Sequence, residues 1–332
     1  MVSYKMNMEG KYIKDLVSIV IPIYNVEHVV ENSLRSVLNQ TYKNIEYILV
    51  DDCGIDSSMA IVERVIKEDA YCNMKIEIIR HKTNLGLSAA RNTGLKESVG
   101  EFVFFVDSDD AITSNCIELH VNSIKSQKAD FTISNIQLKG SRSFHVSKIN
   151  KEVEDLPILE SFLLRKWNVS AWNKLYRKSF LNKNNIEFVE GQLHEDILWT
   201  YKIVKNGAKA AFIYESTYLY IISRSNSITS RVNPRRIESL MSIIIELKSD
   251  LYMHGGHEDE FKNYVNILCF NTLLLIMNLN STSDFKMTCY KKVSDLSYKS
   301  STIYSHICKM SYMKFKLLIY PLYLMYKKIQ KI

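Results

Sequence analysis

Apolar and polar positions along the first 130 residues follow a repeating pattern. "VSIVIPIY" (17–24) is a continuous apolar run of the kind buried on both faces of a sheet. "VEHVVENSLRSVLNQ" then puts Val30, Leu34, Val37 and Leu38 on one helical face, with Asn25 in position to cap the helix. "IEYILVDD" (45–52) predicts a second strand, and "SSMAIVERVIKEDA" a helix with Ile61, Val62, Val65 and Ile66 in register. "KIEIIR" (75–80) and "FVFFV" (102–106) predict two further strands, with the helix "LSAARNTGLKESV" between them. Strands alternating with helices imply right-handed crossovers and a mostly parallel sheet.

Ligands of such sheets sit beyond the carboxyl ends of the strands. Polar residues gather at those ends: Pro22, Tyr24 and Asn25 after the first strand, and Asp51 and Asp52 after the second. His81, Asn84 and Gly86 follow the third, and Asp107, Ser108, Asp109 and Asp110 the fourth. After about residue 136 the alternation fades. "DLPILESFLLRK", "SAWNKLYRKSFLNKN" and "GQLHEDILWTYKIVKNG" read as helical or loop-helix, "AAFIYESTYLYII" (210–222) as a strand, and the chain from Asn233 as mainly helical. Gly and Pro are scarce, so no flexible linker marks a boundary; a soft one is expected near residue 230.

Composition excludes disordered and fibrous classes, and no repeat or low-complexity segment appears. The six cysteines form no C-x-x-C pair and no apolar signal segment opens the chain, which predicts reduced thiols in a cytoplasmic protein. The net charge of +7 implies no nucleic-acid partner, because the excess sits in the tail: from Leu296 to Ile332 there are seven lysines and no acid. There "KFKLLIYPLYLMYKKIQK" holds ten apolar or tyrosyl residues, Leu317 to Tyr326, between lysines. That run is short of the ~20 residues a membrane span needs, and it reads as an interfacial anchor making peripheral membrane contact. "VNILCFNTLLLIMNL" (265–279) is also short and reads as a core helix.

The motifs for G-x-x-x-x-G-K-[ST] and G-x-G-x-x-G are absent, so the ligand must be held by other means. Three carboxylates crowded after a buried strand repel one another unless a cation sits among them. Mg²⁺ or Mn²⁺ held by one or two carboxylates and substrate phosphates supplies that cation. Asp107 and Asp109 share a face if the strand continues.

"VSIVIPIYN", "SVLNQTYKNIEYILVDD", "NLGLSAARNTGL" and "GEFVFFVDSDD", in this order, resemble the N-terminal half of the family 2 glycosyltransferases. The resemblance covers roughly residues 17–230 and implies an inverting sugar transferase of the α/β, Rossmann-like A-type glycosyltransferase (GT-A) fold. It divides the chain into a catalytic domain, 1–230, and a helical region, 231–332. The catalytic domain has a nucleotide-sugar half, 17–136, and an acceptor half, 137–230. By this resemblance Pro22, Tyr24 and Asn25 line the nucleotide pocket, and Asp52 faces the base, commonly uracil. Asn84, Gly86 and Arg91 border the nucleotide, and Asp107, Ser108 and Asp109 form the D-x-D that holds ribose, the divalent metal and the diphosphate. The family usually reads D-D-G-S-x-D after its second strand; "DDCGIDSS" has its glycine one position late, so Asp51, Asp52 and Asp56 fit better than the loop between them.

An inverting transfer needs a base for the acceptor hydroxyl. Glu195 and Asp196 open a helix, where the dipole already favours acids; the family places an acid pair here, which implies Asp196 as base with Glu195 in support. His194 is expected to be neither base nor ligand. Trp172, Asn173 and Lys174 resemble a segment near the acceptor cavity, and "SRSNSITS" (223–230), with Arg224, resembles a loop that closes on donor phosphates. "HGGH" (254–257) lacks further ligands and predicts no zinc. The expected activity moves a sugar from a nucleotide diphosphate, most readily a UDP-sugar, to a glycan or lipid-linked acceptor at the inner face of the cytoplasmic membrane. A nucleotidyltransferase or a non-catalytic sugar or nucleotide-binding module are the rivals.

Overall fold

A computed structural model describes residues 12–140, 146–222, 232–250 and 256–329. Among the described residues eight strands are formed: β1 Ile13–Ile23, β2 Ile45–Asp51, β3 Lys75–Arg80, β4 Gly100–Phe105, β5 Ala111–Ile112, β6 Phe131–Gly140, β7 Leu175–Arg177 and β8 Ala210–Ile222. They make one sheet in the order β3-β2-β1-β4-β7-β6-β8-β5. The expected parallel ladder holds from β3 to β4 and returns between β6 and β8. β7 runs antiparallel to both β4 and β6, and β5 antiparallel to β8, so short antiparallel ladders make the mostly parallel sheet a mixed one.

The helices of the first half are α1 Val30–Leu38, α2 Ser58–Ile66, α3 Leu87–Glu97 and α4 Cys116–Ser126. Those of the second are α5 Lys151–Glu154, α6 Ile158–Leu163, α7 Lys178–Lys183 and α8 Glu195–Lys205. The C-terminal helices are α9 Pro234–Ser249, α10 Glu258–Asn278, α11 Ser283–Leu296 and α12 Ile303–Cys308. Then come Tyr312–Lys314, a π-helical turn Phe315–Ile319, and Tyr320–Ile329. "SAWNKLYRKSFLNKN", expected as helical or loop-helix, contains β7 ahead of α7.

Alternate residues of the central strands feed two cores, because strands between two helical layers are buried on both faces. In β4, Phe102 and Phe104 join Val17, Ile19 and Ile21 under α1 and α4. Val103 and Phe105 join Val20, Ala90 and the residues of α8 and α10 on the other side. Phe105 meets Trp199 of α8 edge-on at 5.7 Å, and Trp199 stacks on Phe188 at 4.0 Å. α10, the predicted core helix, packs in this second layer, where Phe162 of α6 meets Tyr264 at 4.9 Å. The expected boundary near residue 230 falls in 223–231, outside the described residues.

The strand order reverses between β1 and β4, since β2 and β3 lie to one side of β1 and β4 to the other. The register of β1 with β4 ends at Val20↔Phe105, whereas its register with β2 runs on to Ile23↔Asp51. Pro22, which has no N–H to donate, therefore stands where β1 has left β4. A crevice at such a switch point is where open α/β sheets bind ligands.

Candidate active site

Four loops meet at this rim, and side-chain hydrogen bonds join the first two. Asn25 takes a left-handed φ of 51° and its Oδ1 accepts from Ile55 N at 2.9 Å. It does not cap α1, as expected from sequence; the helix is flanked by Val29 and has no side-chain cap. Val26 N and Glu27 N donate to Ser58 Oγ and Asp56 Oδ2, at 2.8 and 2.9 Å. Cys53 occupies the position of the family's glycine, and it adopts φ 58°. The chain's own glycine, Gly54, meets a different demand: a Cβ there would lie 3.1 Å from Asn25 Oδ1 and 3.2 Å from Asn25 N. Tyr24 projects beside them, 44% exposed.

Asp52, 3% exposed, holds the β3–α3 loop in place. Its carboxylate accepts from Leu85 N at 2.8 Å, Gly86 N at 2.8 Å and Asn84 Nδ2 at 3.0 Å, and His81 Nδ1 lies 2.7 Å away. His81 Nε2 is in turn 2.9 Å from Thr93 Oγ1 of α3. Both oxygens are thus engaged within the protein, and a base contact would require one of these donors to be released. Gly86 opens α3 at φ 91°, a conformation that only glycine takes without cost.

β4 stops at Phe105, and Asp107, Ser108, Asp109 and Asp110 form a tight turn in which Asp110 N donates to Asp107 O at 3.0 Å. Strand alternation therefore does not align Asp107 with Asp109; the turn does. It brings oxygens of Asp107, Asp109 and Asp110 within 4.8 Å of one another. Asp110, 1% exposed, accepts from the Tyr218 hydroxyl at 2.9 Å and Ile221 N at 2.8 Å, both of β8. Burial first, then Asp107 and Asp109, push its carboxyl up to about 9. Asp109 reaches solvent, yet the surrounding protein and then Asp107 push it up to about 6. Carboxylates so crowded fit a hard divalent cation: Asp107 and Asp109 supply the outward oxygens, while those of Asp110 are committed to β8.

Arg91 balances the turn from beneath. Only 2% exposed, it donates from Nη2 to Asp107 Oδ1 at 2.6 Å and from Nη1 to Glu195 Oε1 at 2.5 Å. Its guanidinium also lies over the Phe188 ring at 5.3 Å. Burial alone would lower its pKa, but Asp107 and Glu195 hold it above the ordinary arginine value. Asn92 fixes the same segment, exchanging two 2.9 Å hydrogen bonds with the backbone of Phe188. Arg91, expected to border the nucleotide, thus bridges the acidic turn to the start of α8. One signal for this was readable: Asp107 continues the Val103–Phe105 face of β4, the face that α3 covers.

α8 begins with Glu195 and Asp196 after His194, which takes φ 60°. His194 Nε2 accepts from Arg236 Nε at 3.0 Å, and burial and then Arg236 push the imidazole down to about 4, so it stays neutral. Asp196 is held well above the usual carboxylate range by burial and then by Glu195, with Arg91 and Lys174 opposing. Lys174 is fully buried, donates to Asn168 O, Ser170 O and Asn173 Oδ1 at 2.7–3.0 Å, and is pushed down to about 7 by burial against the pull of Asp196. Asn173, at φ 58°, donates to Ser134 O at 2.6 Å. Trp172 stacks on Tyr218 at 4.4 Å and on Tyr220 at 5.4 Å. Tyr218 was not singled out in the sequence, where nothing separates it from the other tyrosines of β8. Arg224 and the start of "HGGH" lie outside the described residues; His257, its last residue, flanks α10.

The chain is similar to several known proteins. Glycosyltransferase GlyA of Streptococcus pneumoniae is 33% identical over 230 residues, 64% of this chain and 32% of that protein; the chain thus spans about a third of that relative's length. Glycosyltransferase GlyG of the same organism is 26% identical over 291 residues, 83% of this chain and 95% of that one. The crystal structure of S. aureus TarS 1–349 in complex with UDP-GlcNAc superposes with a TM-score of 0.66 at 22% identity, covering 84% of this chain and 80% of that one, and so shares the fold. Residues 18–184 match the model of glycosyl transferase family 2, a span that holds Arg91 and the acidic turn, and the chain belongs to that family.

Proposed function

We propose that this glycosyltransferase moves a hexosyl or N-acetylhexosaminyl unit from a UDP-sugar to a hydroxyl of a glycan or lipid-linked acceptor, with inversion, in the assembly of a surface polysaccharide such as capsule, O-antigen or exopolysaccharide. One observation carries the reading: buried Arg91 ties Asp107 of the acidic turn to Glu195 of α8, so the diphosphate-binding carboxylates and the candidate base belong to one centre. The nucleotide would lie in the crevice between the β1 and β4 ends, against Pro22, Tyr24 and Asn25 and the loop of Asn84 and Gly86 that Asp52 fastens. Ser108 sits within the turn beside the ribose and diphosphate. A bound Mn²⁺ or Mg²⁺, held by Asp107 and Asp109, would offset the charge of the leaving UDP. Asp196 accepts the acceptor's proton as its oxygen bonds to the anomeric carbon and the bond to the diphosphate breaks. A carboxyl raised by burial is a stronger base than an exposed one, which suits this role. The donor class agrees with the UDP-GlcNAc bound to TarS, and a lipid-linked acceptor would suit the basic, apolar composition of the tail.

The test is transfer and hydrolysis across a panel of nucleotide-sugars, wild type against Asp196→Asn. Full turnover by the variant would refute the base, and no turnover of any donor by the wild type would favour a binding module.

A further inference from the structure

The last helical segment has two faces of opposite character. On one, Tyr312 and Phe315 are buried, and Ile319, Tyr320 and Tyr323 pack against the main core. The Tyr320 hydroxyl donates to Asn278 Oδ1 of α10 at 2.8 Å, which ties the segment to α10 at that point. The other face carries Met313, Leu317, Leu318, Leu322, Leu324 and Met325, all between 39% and 66% exposed. Leu318, Leu322 and Met325 fall at i, i+4 and i+7, one side of a helix. Pro321 lies just inside this helix, where its ring would crowd the carbonyl four residues back; the wide π-helical turn Phe315–Ile319 relieves that clash and lets the helix continue.

A surface of six large apolar side chains on a fixed helix is unusual for a protein that meets only water. Its charge identifies the occupant. The last acid is Asp295, and from Ser297 to Ile332 there are seven lysines and no acidic residue. Lys314 and Lys316 are exposed at the start of the apolar face. A second copy of the chain would bring the same lysines against one another, which disfavours a dimer across this face. An anionic bilayer offers both an apolar interior and opposing charge. Among the described residues no helix is long and apolar enough to cross a membrane, so the segment would lie in its surface. We infer that the exposed face of the segment from Tyr312 to Met325 is a docking surface for anionic lipid, with Leu317, Leu318, Leu322 and Met325 entering the headgroup boundary and Lys314 and Lys316 meeting its charge.

The full-length protein is sedimented with vesicles of phosphatidylglycerol and phosphatidylcholine, and with vesicles of phosphatidylcholine alone, at low and high salt. Binding is expected on the anionic vesicles, weakening as salt rises. Leu318→Glu with Leu322→Glu should reduce it at least about tenfold, and Lys314→Gln with Lys316→Gln roughly fivefold per lysine. These side chains are exposed, so an unchanged melting temperature checks that the variants fold. Equal binding to the neutral vesicles, no binding to either, or undiminished binding by the double glutamate variant would overturn the inference. So would concentration-dependent self-association that the glutamates abolish, without vesicle binding.

Discussion

The two strands that flank β1 in this sheet both end in clustered acids, and the two ends do opposite things. After β2, the carboxylate of Asp52 is filled by Leu85 N, Gly86 N, Asn84 and His81, all from the next loop. After β4, three carboxylates crowd within 4.8 Å with one buried arginine beneath them. An acid whose oxygens are saturated by its own chain builds the site; an acid left short of positive charge waits for a ligand. The number of internal donors separates the two, and a motif does not.

That contrast can be broken experimentally. The largest expected effect on rate is at Asp196: its change to asparagine should lower kcat between about a hundredfold and ten-thousandfold, with an unchanged melting temperature. A loss confined to KM would remove it from the chemistry. The wild-type pH profile sharpens the assignment. The base works only when deprotonated, and burial raises its folded pKa, so kcat should fall as pH drops through a value well above that of an ordinary carboxylate.

The largest effect on stability is expected at Arg91. Arg91→Met leaves Asp107 and Glu195 without their shared cation and should cost about 3–5 kcal/mol in a denaturation titration. Arg91→Lys cannot span both partners and should recover only part of it. Asp52→Ala should cost about 2–4 kcal/mol, since it strands the buried Leu85 and Gly86 amides. Asp109→Ala should leave the melting temperature unchanged or raised, while abolishing the Mn²⁺ dependence of UDP affinity. If Asp52 and Asp109 behaved alike in both measurements, the contrast between building and binding acids would fall. The smallest effect is at Cys53: Cys53→Gly relieves a left-handed backbone and should stabilise by about 1 kcal/mol.

Much of this was readable from the pattern of residues. Val17–Tyr24 and Ile45–Asp52 appear as strands within a residue or two at their ends, apart from an earlier start to β1, because buried strands between two helical layers are apolar throughout, whereas the edge strand Lys75–Arg80 shows in the alternation of Lys75, Ile76, Glu77 and Ile78. β7 was hidden because three residues carry no period, and "SAWNKLYRKSF" has apolar spacing that suits a helix equally well. The alignment of Asp107 with Asp109 was expected on condition that the strand continues past Val106, since nothing local marks where pairing with β1 stops. The Arg91 bridge spans 104 residues to Glu195; such a contact leaves no trace in local spacing, and only the face that α3 covers pointed toward it.

Tyr218 has a consequence for recombining such enzymes. From β8 its hydroxyl reaches Asp110 and accepts from Asp107 N, while its ring stacks on Trp172. A chimera spliced after residue 136, keeping one enzyme's donor half and another's acceptor half, would sever these ties at the turn expected to hold the donor. Donor and acceptor preference can therefore be exchanged as modules only if Asp110, Trp172 and Tyr218 travel together.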